Sequence, residues 1–135
     1  MKKFSLLMIA LGCFSSQITL AATPAVTELM SEYATQSANS PDAQRGQTLW
    51  TKKFKGDARF PERSCASCHT ANLKQKGKHV KTQKTIEPMA PSVGSKRLTS
   101  TREIKKWFKR NCKWTLGREC TAAEKADLLT YIQQQ

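Results

Sequence analysis

The sequence predicts an all-α protein, and three observations lead there. Four separate stretches place apolar residues three and four positions apart, as one face of a helix requires. Two of the helices open on Ser or Thr followed three residues later by Glu, the reciprocal start signal of a helix. No stretch shows the alternation of a half-buried strand, and there is no internal repeat.

At 135 residues the chain is one domain long. Met1-Lys2-Lys3, then the apolar run Phe4–Leu11, has the basic and hydrophobic regions of a secretion signal, and Thr19-Leu20-Ala21-Ala22 supplies small residues for cleavage. We read residues 1–22 as a cleaved signal and 23–135 as the mature domain. The apolar run falls short of the roughly 20 residues that cross a bilayer, so no stable membrane insertion is expected. Cys13, after Ala10-Leu11-Gly12, raises a lipoprotein alternative, but Ala10 fits poorly there. Export implies a periplasmic, disulfide-permissive setting. Loss of Lys2 and Lys3 lowers the formal charge from +13 to +11. For an exported protein so basic a surface points to an acidic protein partner or an anionic cofactor and not to nucleic acid.

Val26, Leu29, Met30 and Tyr33 form the stripe of a first helix, and the small polar segment 34–40 suits a loop. Pro41 and Asp42 open a second helix, running to about Phe54, on which Gly46, Leu49 and Trp50 share a face. Residues 55–64 are turn-rich, and 70–99 have little periodicity, a length of loop that usually wraps something. Ser100-Thr101-Arg102-Glu103 starts a helix to about Asn111, and Thr121-Ala122-Ala123-Glu124 starts the last one, with Leu128, Leu129, Tyr131 and Ile132.

Between the second helix and the long loop lies Cys65-Ala66-Ser67-Cys68-His69. Two cysteines two residues apart, followed at once by histidine, form the attachment signature of a c-type haem. Each thiol adds to one vinyl group of the porphyrin, and the next residue lies beneath the ring with its imidazole toward iron. Zinc is the competing reading, and it lacks two further well-spaced ligands, since His79 with a distant cysteine is a weak set. With Cys65 and Cys68 assigned to haem and Cys13 to the signal, Cys112 and Cys120 remain as a disulfide pair.

Gly46 with Trp50, and Leu128 with Tyr131, resemble the crossing helices of the class I cytochrome c fold. Three further stretches narrow the resemblance: Glu87-Pro88-Met89-Ala90-Pro91-Ser92-Val93, Lys106-Trp107-Phe108-Lys109-Arg110-Asn111-Cys112, and Leu116-Gly117-Arg118-Glu119-Cys120-Thr121. These are similar to the Sphaeroides haem protein family of oxygen- and nitric-oxide-binding monohaem cytochromes. The resemblance implies one covalent haem c, Asn111 as sixth ligand of ferric iron beside a Cys112–Cys120 disulfide, and departure of that asparagine on reduction. It also implies a dihaem cytochrome c as redox partner. Gly94, where the family pattern has asparagine after the valine, departs in loop detail only.

The residues themselves offer three sixth ligands. Met89 gives an ordinary electron carrier, but it stands only 20 residues beyond His69 and between two prolines. His79 gives a bis-histidine haem, in a lysine-rich neighbourhood that suggests exposure. Asn111 ends the stripe of Ile104, Trp107 and Phe108, where an unpartnered amide costs roughly 1–3 kcal/mol, and its competing role is a helix C-cap. Ligation by Asn111 leaves Trp107 and Phe108 lining the distal side, with Arg97 placed to pair with a propionate. Lys74, Lys76, Lys78, Lys81 and Lys84 form a solvated loop or a docking surface for an acidic redox protein. Electron transfer with O2 or NO binding is thus the first reading, and a His/Met shuttle the second. Terminal reductase activity stays open, since no histidine or carboxylate is placed as distal acid or base.

Overall fold

The computed structural model describes residues 21–94 and 96–135. Most of the expected secretion signal, including Cys13, lies outside the described residues. Helix α1 (Pro24–Thr35) begins where Thr23 Oγ1 accepts from Val26 N–H, with Pro24 in the first turn, and buries Ala25, Val26, Leu29 and Tyr33. Helix α2 (Ala43–Thr51) is capped by Asp42, whose carboxylate accepts from Arg45 N–H at 2.6 Å. It is shorter than its pattern implies at the C-terminal end, because the chain turns extended at Lys52.

Two short antiparallel ladders follow, which the sequence does not announce. β1 (Phe54–Asp57) pairs with β2 (Phe60–Arg63) around a turn in which the Asp57 carboxylate accepts from the Arg59 and Phe60 amides at 3.1 and 2.9 Å. After the single-turn helix α3 (Ala66–His69), β3 (Gly77–Lys78) pairs with β4 (Thr85–Ile86). Strands of four and two residues are too short to display a period of two. The helices still carry the fold.

Helix α4 (Thr101–Leu116) is longer than expected. Nothing between Asn111 and Leu116 breaks it, and the end comes at Gly117, whose φ of 74° supplies the left-handed cap. Ser100 caps its start, while the Glu103 carboxylate takes Lys106 at 3.0 Å. Helix α5 (Ala122–Gln133) has the full reciprocal box: Thr121 N–H donates to Glu124 at 2.8 Å and Glu124 N–H to Thr121 at 3.2 Å.

Helix α5 packs most extensively on α2, then on α1. Where α2 and α5 cross, a Cβ on Gly46 would stand 2.1 Å from the Asp127 carbonyl oxygen, so only glycine lets the backbones meet. Trp50 and Tyr131 rings lock the crossing at 6.2 Å. Buried Asp127 clasps the start of α2: it accepts from Asp42 N–H at 2.7 Å and from Arg45 at 2.8 and 2.9 Å. One core cluster gathers Trp50, Leu73, Ala90, Leu128 and Ile132, and a second joins α1 to Ile104, Ala126 and Leu129. Among the described residues no helix is long and apolar enough to cross a membrane.

Candidate haem site

The cysteine–histidine motif forms the one-turn helix α3, and its neighbours hold it from three sides. Ser64 and Ser67 cap each other: Ser64 N–H donates to Ser67 Oγ at 3.0 Å, and Ser67 N–H to Ser64 Oγ at 3.1 Å. Gly77 lies so close beneath that a Cβ there would stand 2.0 Å from the Cys68 carbonyl oxygen. Trp50 Nε1 donates to the Thr70 carbonyl at 2.8 Å, and its ring lies 5.6 Å from the His69 imidazole. The core aromatic of the α2–α5 crossing therefore also fixes the histidine.

Among the described residues Cys65 and Cys68 are free thiols, and the buried His69 Nδ1 atom has no hydrogen-bond partner. Burial, helped by Arg97 and His79, pulls the His69 imidazole down to about 4. It is neutral at any ordinary pH, the form that binds metal. Burial likewise pushes the Cys65 thiol up to about 11. An unpartnered buried imidazole next to two free thiols is a poor end-state for a protein interior.

From Cys65 a cavity of about 340 Å³ extends between α4, α5 and the loop before α4. Its walls include Met89, Arg97, Trp107, Phe108, Asn111, Cys112 and Cys120, nearly the whole set of expected site residues. Cys68 and His69 stand beside this space and do not line it. Trp50, Leu98 and Leu128 belong to its apolar lining, and Lys96, Thr99, Ser100 and Glu103 add polar groups; the sequence marks Trp50 and Leu128 only as packing residues.

Asn111 lies inside α4, more than a turn before the Gly117 cap, so a C-cap role is excluded. Its half-buried side chain reaches the cavity and has no protein hydrogen-bond partner among the described residues. Cys112 and Cys120 are joined, with Cα atoms 5.5 Å apart. Both are buried.

Met89 lines the same cavity, held by its N–H to Leu73 O at 2.9 Å. His79 does not: its Nδ1 accepts from Thr82 N–H at 3.2 Å in the β3–β4 turn. Arg97 reaches the cavity, but Nε donates to Pro88 O at 2.6 Å and Nη2 to Glu87 O at 2.5 Å. Part of the guanidinium thus ties the loop, and only the remainder is free for a propionate. Trp107 is 47% exposed, its ring flanked by Lys106 and Arg110 at 5.2 Å each.

A family model described as a domain of unknown function (DUF1924) matches residues 36–132. The cytochrome c-type protein SHP of Cereibacter sphaeroides is 35% identical over 116 residues, spanning 86% of this chain and 88% of that one. The chain belongs to the SHP family of c-type cytochromes.

A solved structure of oxidised SHP, described as an oxygen-binding cytochrome c, superposes with a TM-score of 0.75 at 35% identity. It covers 85% of this chain and 100% of that one. The solution structure of cytochrome c″ from Methylophilus methylotrophus, which addresses haem-ligand detachment, gives 0.69 at 34% identity, over 82% of this chain and 93% of its own. The SHP-family fold is a cytochrome c fold with one covalently bound haem c and its iron. The residues fit that group: free thiols, a neutral unpartnered imidazole, and an apolar cavity that starts at the first cysteine.

Proposed function

We propose that this protein is a periplasmic monohaem cytochrome whose sixth ligand, Asn111, binds ferric iron and leaves on reduction, opening a site for O2 or NO. The observation that carries the reading is the place of Asn111: a half-buried amide inside α4, at the wall of a mainly apolar cavity and with no protein hydrogen-bond partner among the described residues. Residues 1–22 serve as the cleaved signal, and 23–135 form the haem domain.

Cys65 and Cys68 would hold the porphyrin through thioethers, and His69 would bind the iron from the proximal side. When bound, haem c supplies an iron that cycles between ferric and ferrous and accepts a sixth ligand. The Asn111 carbonyl oxygen is a neutral hard donor that suits the harder ferric ion and binds the ferrous ion weakly. Were it to leave, the half-buried Phe108 and the more exposed Trp107 would remain at the cavity wall. The Cys112–Cys120 bridge, one residue from Asn111, limits how far the ligand backbone moves.

Electrons come from an acidic redox protein, a dihaem cytochrome c by the family resemblance. The lysines from Lys74 to Lys84 supply the complementary charge; among the described residues only Lys76 of that run is paired with a carboxylate, Glu87 at 3.2 Å. Met89 lines the same cavity, so the second reading is a His69/Met89 electron shuttle.

Absorption spectra of both redox states, with and without NO, separate the two. A five-coordinate ferrous protein that binds NO is expected. Asn111→Ala changes the ferric spectrum, while Met89→Leu leaves it as it was. A six-coordinate low-spin ferrous protein blind to NO, with the ligand lost in Met89→Leu, establishes the shuttle instead.

A further inference from the structure

Behind the haem cavity lies a second one of about 180 Å³, where α1, α4 and α5 converge. Its rim is polar: Tyr33 from α1, Lys105 and Lys109 from α4, Glu119 from the turn and Lys125 from α5. Its floor is apolar. Phe108 and Cys120 line both cavities, so between them the wall is a single residue thick. Phe108 stands three positions before Asn111 on α4, and Cys120 is disulfide-bonded to the residue after it.

We infer that this second cavity is the antechamber through which an uncharged diatomic ligand reaches the distal face, with Phe108 as the gate. The inference rests on the reading that ferrous iron binds such a ligand. With a porphyrin seated in the large cavity, the second one, divided from it only by Phe108 and Cys120, would offer a small molecule a path to the side of Asn111. The rim groups are largely committed to one another. Lys105 pairs with Glu32 at 2.6 Å, Lys113 with Glu119 at 3.3 Å, and the Lys125 ammonium lies 5.5 Å from the Tyr33 ring centre. A rim of paired charges neither traps an ion nor obstructs a neutral gas. The inner wall offers an aromatic ring, partly buried and attached to no hydrogen bond, whose rotation opens the partition.

A path differs from a binding site in a measurable way. Narrowing it slows entry and exit by the same factor, and the equilibrium constant stays fixed. Lys109→Trp fills the rim with a bulky ring on the exposed side of α4, away from the haem cavity. Arg102→Trp, exposed in the first turn of α4 and lining neither cavity, is the control. Flash photolysis and stopped-flow mixing with CO and NO on the reduced holoprotein give both rates. In Lys109→Trp both fall several-fold with Kd unchanged and the ferrous spectrum intact, whereas Arg102→Trp matches the parent. Phe108→Ala raises both rates. Unchanged rates in Lys109→Trp, or a change in only one of them, overturn the antechamber. Absence of any CO or NO binding by the parent protein overturns the functional reading itself, which is a separate outcome.

Discussion

Trp50 joins two parts of the molecule that are far apart in sequence: its indole N–H holds the Thr70 carbonyl at 2.8 Å, and its ring meets Tyr131 on the last helix at 6.2 Å. The same ring faces His69 at 5.6 Å. A side chain placed by helix packing thus sets the posture of the His69 imidazole.

Trp50→Phe keeps most of the apolar area and deletes the donor, leaving a carbonyl short of a partner. Stability falls by roughly 1–2 kcal/mol. Because Thr70 follows His69 directly, the reduction potential of the holoprotein shifts as well. Denaturant unfolding and a redox titration on the same samples check both.

Gly46→Ala tests the α2–α5 crossing. The added methyl meets the Asp127 carbonyl at 2.1 Å, and a backbone atom cannot step aside. Overpacking of this kind costs about 1–3 kcal/mol. The expected readout is a lower thermal midpoint, accompanied by a shift of the ferric haem spectrum, because the same crossing carries Trp50, which lines the cavity and packs on His69.

Cys120→Ser opens the loop from residue 112 to 120. In the chain-entropy description such a loop is worth roughly 2.5 kcal/mol. A bridge with only that role leaves the ferric spectrum unchanged. Because Cys112 adjoins Asn111 and both cysteines line the cavity, the expected result is a lowered midpoint together with an altered ferric ligand field.

Glu124 sets a pH dependence. The bidentate Arg118, at 2.7 Å to each oxygen, holds this carboxyl below its ordinary value of 4.5, aided by the Thr121 amide and hydroxyl. A carboxyl depressed in the folded state adds stability above its unfolded pKa and loses it as pH falls through the lower, folded one. Glu124→Gln therefore destabilises at neutral pH, and its deficit against the parent shrinks on acidification below that ordinary value of 4.5. Parallel unfolding curves across that range check the sign. A deficit that stays constant assigns the effect to shape alone.

Much of the fold and the haem site is legible in the order of the amino acids. The Cys65–His69 motif, the Gly46/Trp50 and Leu128/Tyr131 crossing, and the Thr121/Glu124 box each depend on a fixed local spacing, and spacing survives in a one-dimensional string. The residues that the string hides are those whose role needs a distant partner. Asp127 reads as an ordinary polar position on α5, and only the folded chain shows it seated on Asp42 and Arg45. Gly77 reads as one more loop glycine in a lysine-rich run, yet it is where β3 presses on the Cys68 carbonyl. The Ser64–Ser67 cap does leave a trace, serines three apart bracketing the first cysteine, but so short a pattern carries little information alone. Helix α4 outruns its expected end because asparagine is a common stop, and the true stop is the glycine six residues on.

The Asp127 clasp bears on how much of the chain the fold needs. Asp42 and Asp127 are 85 positions apart, with the Cys65–His69 motif between them. A chain cut short before α5 leaves the Asp42 amide and Arg45 without that carboxylate, and Trp50 without Tyr131. The ring that packs on His69 is therefore secured from the far end of the sequence.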